Sequence, residues 1–211
     1  MKSTFSNFDD SDFLSITESG FSFRWTLYTL IGFVLSLLLI EVGERPDIGI
    51  IEGLIGGTII GIVQWIVLQP YLKGAWWWII ISSLSWAIMG WSGLGAIGWT
   101  APRTLSLSLR FFYGMLEGAR TGFILSVGQY LLLSRHVPYA WRWVFLNTFI
   151  WAISLTCGWT IGGLLRIQFN QFLGDVVGLG LLWLLTAALN SFALKMLFTY
   201  PDSSFNDHRS N

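Results

Sequence analysis

Charge is what this sequence has least of. Asp, Glu, Lys and Arg make up 11% of its 211 residues, against about 25% in soluble globular domains. So few charges cannot cover the surface of a soluble domain of this length, and that class is excluded first. The twelve basic and twelve acidic residues cancel, so the balance implies neither nucleic acid nor an anionic lipid surface as a partner. Cysteine occurs once, as Cys157 inside an apolar stretch, which excludes a disulfide framework or a thiolate metal site; such a residue ordinarily packs as a small side chain. The two histidines, His136 and His208, fall outside the apolar stretches, so no Ser/His pair can form within them. Zinc-protease, nucleophile-elbow and phosphate-loop motifs are missing too. Gly174-Asp175 alone lacks the second, facing carboxylate that aspartyl proteolysis needs. The sequence predicts no enzyme and no metal centre.

Long apolar stretches take the place of charge. Hydrophobic residues make up 54% of the chain, in runs near the ~20 residues that cross a hydrocarbon core of about 30 Å. Thirteen Trp residues fall mostly near the ends of those runs, as in interfacial aromatic belts. The expectation is an all-α integral membrane protein with six transmembrane helices. They run about Trp25–Glu41, Ile48–Gln69, Trp76–Trp99, Phe111–Ser134, Trp141–Leu165 and Asp175–Phe198. Residues 1–22 read as a polar tail without the features of a secretory signal, residues 23–199 as the membrane domain and residues 200–211 as a second polar tail. The alternation of Leu and Ser over Leu105–Leu109 suggests a strand-like or irregular connector.

The stretch Ile48–Trp99 returns 65 residues later, as about 113–165. Gly49, Gly53 and Gly57 match Gly114, Gly118 and Gly122; Glu52 matches Glu117, and Gln64 matches Gln129. Trp76, Trp78 and Trp86 match Trp141, Trp143 and Trp151, and Gly93 and Gly98 match Gly158 and Gly163. Apolar composition alone does not align Gly, Trp, Gln and Glu, so this is read as an internal duplication of a two-helix unit. A split third copy is suggested by the chain ends. Phe23-Arg24-Trp25 resembles Trp141-Arg142-Trp143, Phe33 falls where Trp86 and Trp151 fall, and Asn190 lies near the place of the glutamines.

Gly49, Gly53, Gly57 and Gly61, and then Gly114, Gly118 and Gly122, recur every fourth residue and line one helix ridge, where a second backbone can come close. That ridge predicts helix packing, an oligomer seam or a flat bed for a pigment ring. Gln64 and Gln129 share the glycine face and need partners in lipid. They could bond between helices, ligate a chlorophyll magnesium or line a substrate path. Glu52, Glu117 and Asp175 are candidates for a shared proton, cation or ligand site. The competing reading pairs them locally, with the helix dipole and with Arg120, three residues beyond Glu117. Trp76, Trp78, Trp141 and Trp143 read as interfacial anchors, Trp86 and Trp151 as deeper residues packed on a helix, lipid or pigment ring.

The glycine-rich helix ending in Gln64-Trp65-x-x-Leu68, followed by Trp76-x-Trp78, resembles a group of uncharacterised repeat membrane proteins of cyanobacterial type. The likeness covers both copies, with Tyr130 where the first has Trp65. It implies a plasma or thylakoid membrane and carries no catalytic or binding residue with it. The Glu and Asn/His signature of light-harvesting helices does not occur. Two functions are expected: a non-catalytic scaffold or assembly subunit packing against partner proteins, lipids or pigments (chlorophyll or carotenoid), or a small transporter or ion pathway using the repeated carboxylates. Partners would be lipids, other membrane proteins or further copies of the chain. Basic residues lean towards the side of the two termini, favouring a cytoplasmic placement of both.

Overall fold

In the computed structural model, which describes residues 20–43, 49–92 and 95–199, the chain is six helices, with no strand among those residues. They are α1 (Gly20–Ser36), α2 (Ile50–Leu68), α3 (Trp77–Trp91), α4 (Leu107–Leu133), α5 (Trp141–Phe169) and α6 (Leu173–Thr199). Each packs on the next, and α6 closes on α1, so the six form a ring. The polar tails lie outside the described residues except for Gly20, Phe21 and Ser22, which already belong to α1. Residues 44–48, between α1 and α2, lie outside them as well.

Three helices, α2, α5 and α6, are long and apolar enough to cross a membrane. The other three fall short for separate reasons. α1 has 17 residues and α3 has 15, the latter only about 22 Å long. α4 has the length, 27 residues, but carries Arg110, Glu117 and Arg120.

Several boundaries differ from those read in the sequence: α1 runs Gly20–Ser36 where Trp25–Glu41 was expected, and three further differences have a visible cause. The third span does not continue to Trp99: helix geometry stops at Trp91, Gly95 takes φ 72°, and residues Ile97–Trp99 form a short 3-10 turn. The left-handed conformation at Gly95, open to glycine without a Cβ penalty, turns the chain back into the bundle. The Leu/Ser connector is helical from Leu107, because the Arg110 N–H bonds to Ser106 O at 3.0 Å and the Arg110 side chain is held from three directions. α5 runs on to Phe169 and stops where Asn170 adopts φ 49°, a conformation Asn tolerates better than most residues.

The glycine ridges face the following helix. A Cβ at Gly57 would stand 2.8 Å from Ser82 O of α3, and one at Gly122 would stand 2.6 Å from Asn147 O of α5. Gly53 and Gly118 lie equally close to the carbonyls of Trp86 and Trp151, Gly61 lies on Ile79, and Gly114 on Thr156. Gly49 caps α2, with its carbonyl against Gly90. A third glycine seam joins α5 to α6, through Gly158 and Gly162 on Gly178. Such close backbones supply the dispersion contacts that lipid cannot provide by hydrophobic drive.

Two apolar clusters fill the ring. One holds Phe21, Trp25, Leu68, Trp78, Leu133, Trp143 and Leu194; the other holds Phe33, Trp86, Trp99, Trp151, Trp159, Leu182 and Trp183. Each helix also buries a polar side chain towards one axial cavity: Thr29, Gln64, Ser82, Gln129, Asn147 and Asn190. A polar layer therefore crosses the axis of the bundle.

Candidate functional site

Indoles and amides build that layer. Trp78 Nε1 donates to Gln64 Oε1 at 2.8 Å, and Trp143 Nε1 donates to Gln129 Oε1 at 3.0 Å. Amide and indole are fourteen residues apart in both cases, one on the glycine helix and one on the helix it packs against. The glycine ridge brings the two axes close enough for the bond. Trp78 and Trp143 are 0% and 1% exposed, so the anchor reading does not hold for them. Trp76 and Trp141, at 49% and 52%, do lie on the perimeter.

The pairs border a cavity that leaves about 20 Å³ for the centre of a water molecule. Its lining includes the indoles of Trp25, Trp78 and Trp143, with Thr29, Ser82 and Asn147 four residues on from each, the amides Gln64, Gln129 and Asn190, the side chains of Ile60, Leu125, Thr186 and Ala187, and the deeper indoles Trp86, Trp151 and Trp183. A pigment ring cannot enter this space, and the amide oxygens that would ligate its magnesium already accept indole hydrogens. Chlorophyll ligation by Gln64 and Gln129 is set aside on that geometry. Five lining residues present buried polar atoms without a partner: Trp25 Nε1, Ser82 Oγ, Asn147 Oδ1, Thr186 Oγ1 and Asn190 Oδ1.

The three carboxylates are held separately. The N–H of Gly49 donates to Glu52 Oε2 at 2.9 Å, closing the first turn of α2. Glu117 accepts from Arg120 at 2.9 Å; it sits ten residues into α4, so the helix dipole adds little there. Asp175 lies between two guanidinium groups. Arg110 donates to its Oδ1, and Arg166 Nη1 donates to Oδ2 at 2.9 Å. Among the described residues no three His, Cys, Asp or Glu side chains gather as metal ligands.

Arg110 is the residue the sequence reading passed over. It is fully buried and also donates to the carbonyls of Thr104 at 2.6 Å, Pro102 at 3.0 Å and Trp159 at 3.2 Å. With Asp175 it ties the start of α4 to the start of α6. The signal was available, because an isolated Arg and an isolated Asp open helices expected to start on the same side. Gly163 lies on its stem, where a Cβ would meet Arg110 Cδ at 2.6 Å.

The far end of the ring is closed by the Gly95–Thr100 segment. Trp183 Nε1 donates to Gly98 O and Trp159 Nε1 to Thr100 O, each at 2.9 Å, while Trp99 Nε1 donates to Ser36 Oγ at 2.6 Å. Indoles from α5 and α6 thereby satisfy the Thr100 and Gly98 carbonyls of this non-helical stretch. Trp86, Trp99, Trp151 and Trp183 pack with ring centroids 4.8–6.0 Å apart, so Trp86 and Trp151 face one another and Trp183. Compared with protein-family models, with curated proteins and with solved structures, the chain matches none.

Proposed function

We propose that this protein is a non-catalytic scaffold or assembly subunit embedded in a membrane. It crosses six times as a duplicated two-helix unit, with α6 and α1 as a split third copy and both termini on one side. The observation that carries the reading is the direction of its polarity. The amides, hydroxyls and the Arg110–Asp175–Arg166 cluster turn inward, while the perimeter exposes Ile51, Leu54 and Ile62 on α2 and Phe145, Phe149 and Ile153 on α5. A perimeter of that kind packs against acyl chains and against other membrane helices. The matched cavity lining supports the three-copy description. The resemblance to cyanobacterial-type repeat proteins favours a plasma or thylakoid membrane, and the basic residues near the shared ends favour cytoplasmic termini.

A photoreactive residue in place of Phe149 tests the scaffold in native membranes. A discrete protein adduct, either a defined partner or a second copy of the chain, is expected; lipid adducts alone would remove the assembly role. One observation favours an ion pathway instead: Glu117 Oε2 is buried without a partner. In sealed proteoliposomes the scaffold reading expects no cation or proton flux above that of protein-free vesicles. Flux that disappears in the double variant Glu52→Gln/Glu117→Gln would replace it with the pathway.

A further inference from the structure

We infer that the axial cavity is a specific water-binding site, holding one or two molecules between the two ends of the chain. Six indoles line it, and three of them, Trp25, Trp78 and Trp143, stand beside its amides. Two are satisfied by Gln64 and Gln129. The third, Trp25, is 1% exposed and its Nε1 has no partner; the lining amide near the place of the glutamines is Asn190, 7% exposed, whose Oδ1 has none either. Asn is one methylene shorter than Gln, which withdraws the carbonyl by roughly 1.5 Å. The missing reach leaves a donor and an acceptor unpaired on residues that line the same space.

The chemistry of the lining selects the ligand. Trp25 contributes an N–H, which can only donate. Asn147 and Asn190 contribute carbonyl oxygens, which can only accept, and Ser82 and Thr186 contribute hydroxyls, which do either. An indole N–H aimed into the space repels a cation, and two amide oxygens repel an anion. A neutral molecule that donates twice and accepts twice meets both. The cavity leaves about 20 Å³ in which the centre of a water molecule can stand, and a polar lining of this kind is what holds buried water. Buried water of this kind makes about three hydrogen bonds to groups that would otherwise lack them. Here it would join α1, α3, α5 and α6 and so bridge the seam where the chain ends meet. This inference stands on the interior alone and is independent of the scaffold role.

The test uses the full-length protein in detergent micelles with ¹⁵N-labelled indoles, the Trp25 signal being assigned as the one lost in Trp25→Phe. A rotating-frame cross-peak from the Trp25 indole proton to water, with the sign of direct contact rather than exchange, is expected; the Trp78 and Trp143 indoles should show none. Asn190→Gln, which restores the missing methylene, should erase that cross-peak and raise the unfolding midpoint by about 2–4 °C. The site is overturned if Trp25 gives no water contact in the wild type, if its contact is to another molecule, or if folded Asn190→Gln keeps the contact unchanged. If Asn190→Gln does not fold, the wild-type and Trp25→Phe spectra decide alone.

Discussion

Asp175 and Glu117 each lose a single charge on conversion to the amide, yet the surroundings set very different costs. The Arg110 and Asp175 side chains are 0% and 1% exposed. Asp175→Asn leaves the Arg110 guanidinium buried among neutral carbonyls, and removing one partner of a buried pair costs about 3–5 kcal/mol. Arg120 and Glu117 are 50% and 19% exposed, and such pairs contribute about 0–1 kcal/mol. Unfolding in mixed micelles should therefore show a large loss of stability for Asp175→Asn and almost none for Glu117→Gln. Equal losses would mean that the carboxylates act together, as one shared site would require. The Gln–Trp bonds stand near the lower of these limits. Interhelical hydrogen bonds inside membranes average about 0.6 kcal/mol and reach about 1.7 kcal/mol, so their weight is in fixing where the indoles stand.

Helix pairing is decided by glycine, and two glycines separate packing from propensity. A Cβ at Gly118 would strike the Trp151 carbonyl and stand 2.8 Å from Ala152 Cα, whereas one at Gly180 meets nothing within 4 Å. Both changes to Ala gain up to ~1 kcal/mol of helix propensity, but overpacking against backbone costs about 1–3 kcal/mol. Gly118→Ala should lower the thermal midpoint in detergent while Gly180→Ala leaves it level or raised; the reverse order would show that α4 and α5 are not held by this seam. This seam was legible because spacing by four is a property of the sequence. The break after Trp91 was not, because Gly95 turns the chain only where Trp183, Trp159 and Ser36 wait to satisfy Gly98, Thr100 and Trp99, and those partners lie on three other helices. Trp78 and Trp143 were misplaced for a related reason: a Trp near a span end reads as interfacial until a glutamine fourteen residues earlier is seen to face it. Asp175 read as a partner of Glu52 and Glu117 because position along a helix is visible in sequence and the Arg110 side chain reaching it is not.

At the scale of the whole ring, closure bears on the proposed number of crossings. Alone, α1 and α3 are shorter than the hydrocarbon core, and α4 carries three charged residues. In the ring, the Gly98 and Thr100 carbonyls are satisfied by indoles, Leu37–Ile40 extends α1 by further turns, and the Arg110 charge is buried against Asp175. Under the proposed six crossings, the interior would remove the cost each segment meets by itself in lipid. Single cysteines placed at Ser106, Ser134 and Gln171 in a Cys157→Ala background distinguish the two topologies, since all three positions are exposed. With six crossings, Ser106→Cys and Gln171→Cys label from one face of sealed vesicles and Ser134→Cys from the other. If only α2, α5 and α6 crossed, Ser106 and Ser134 would share a face and Gln171 would lie opposite. Labelling of Ser106→Cys and Ser134→Cys from the same side would therefore reject the six-crossing ring, and with it a polar layer enclosed within the bilayer.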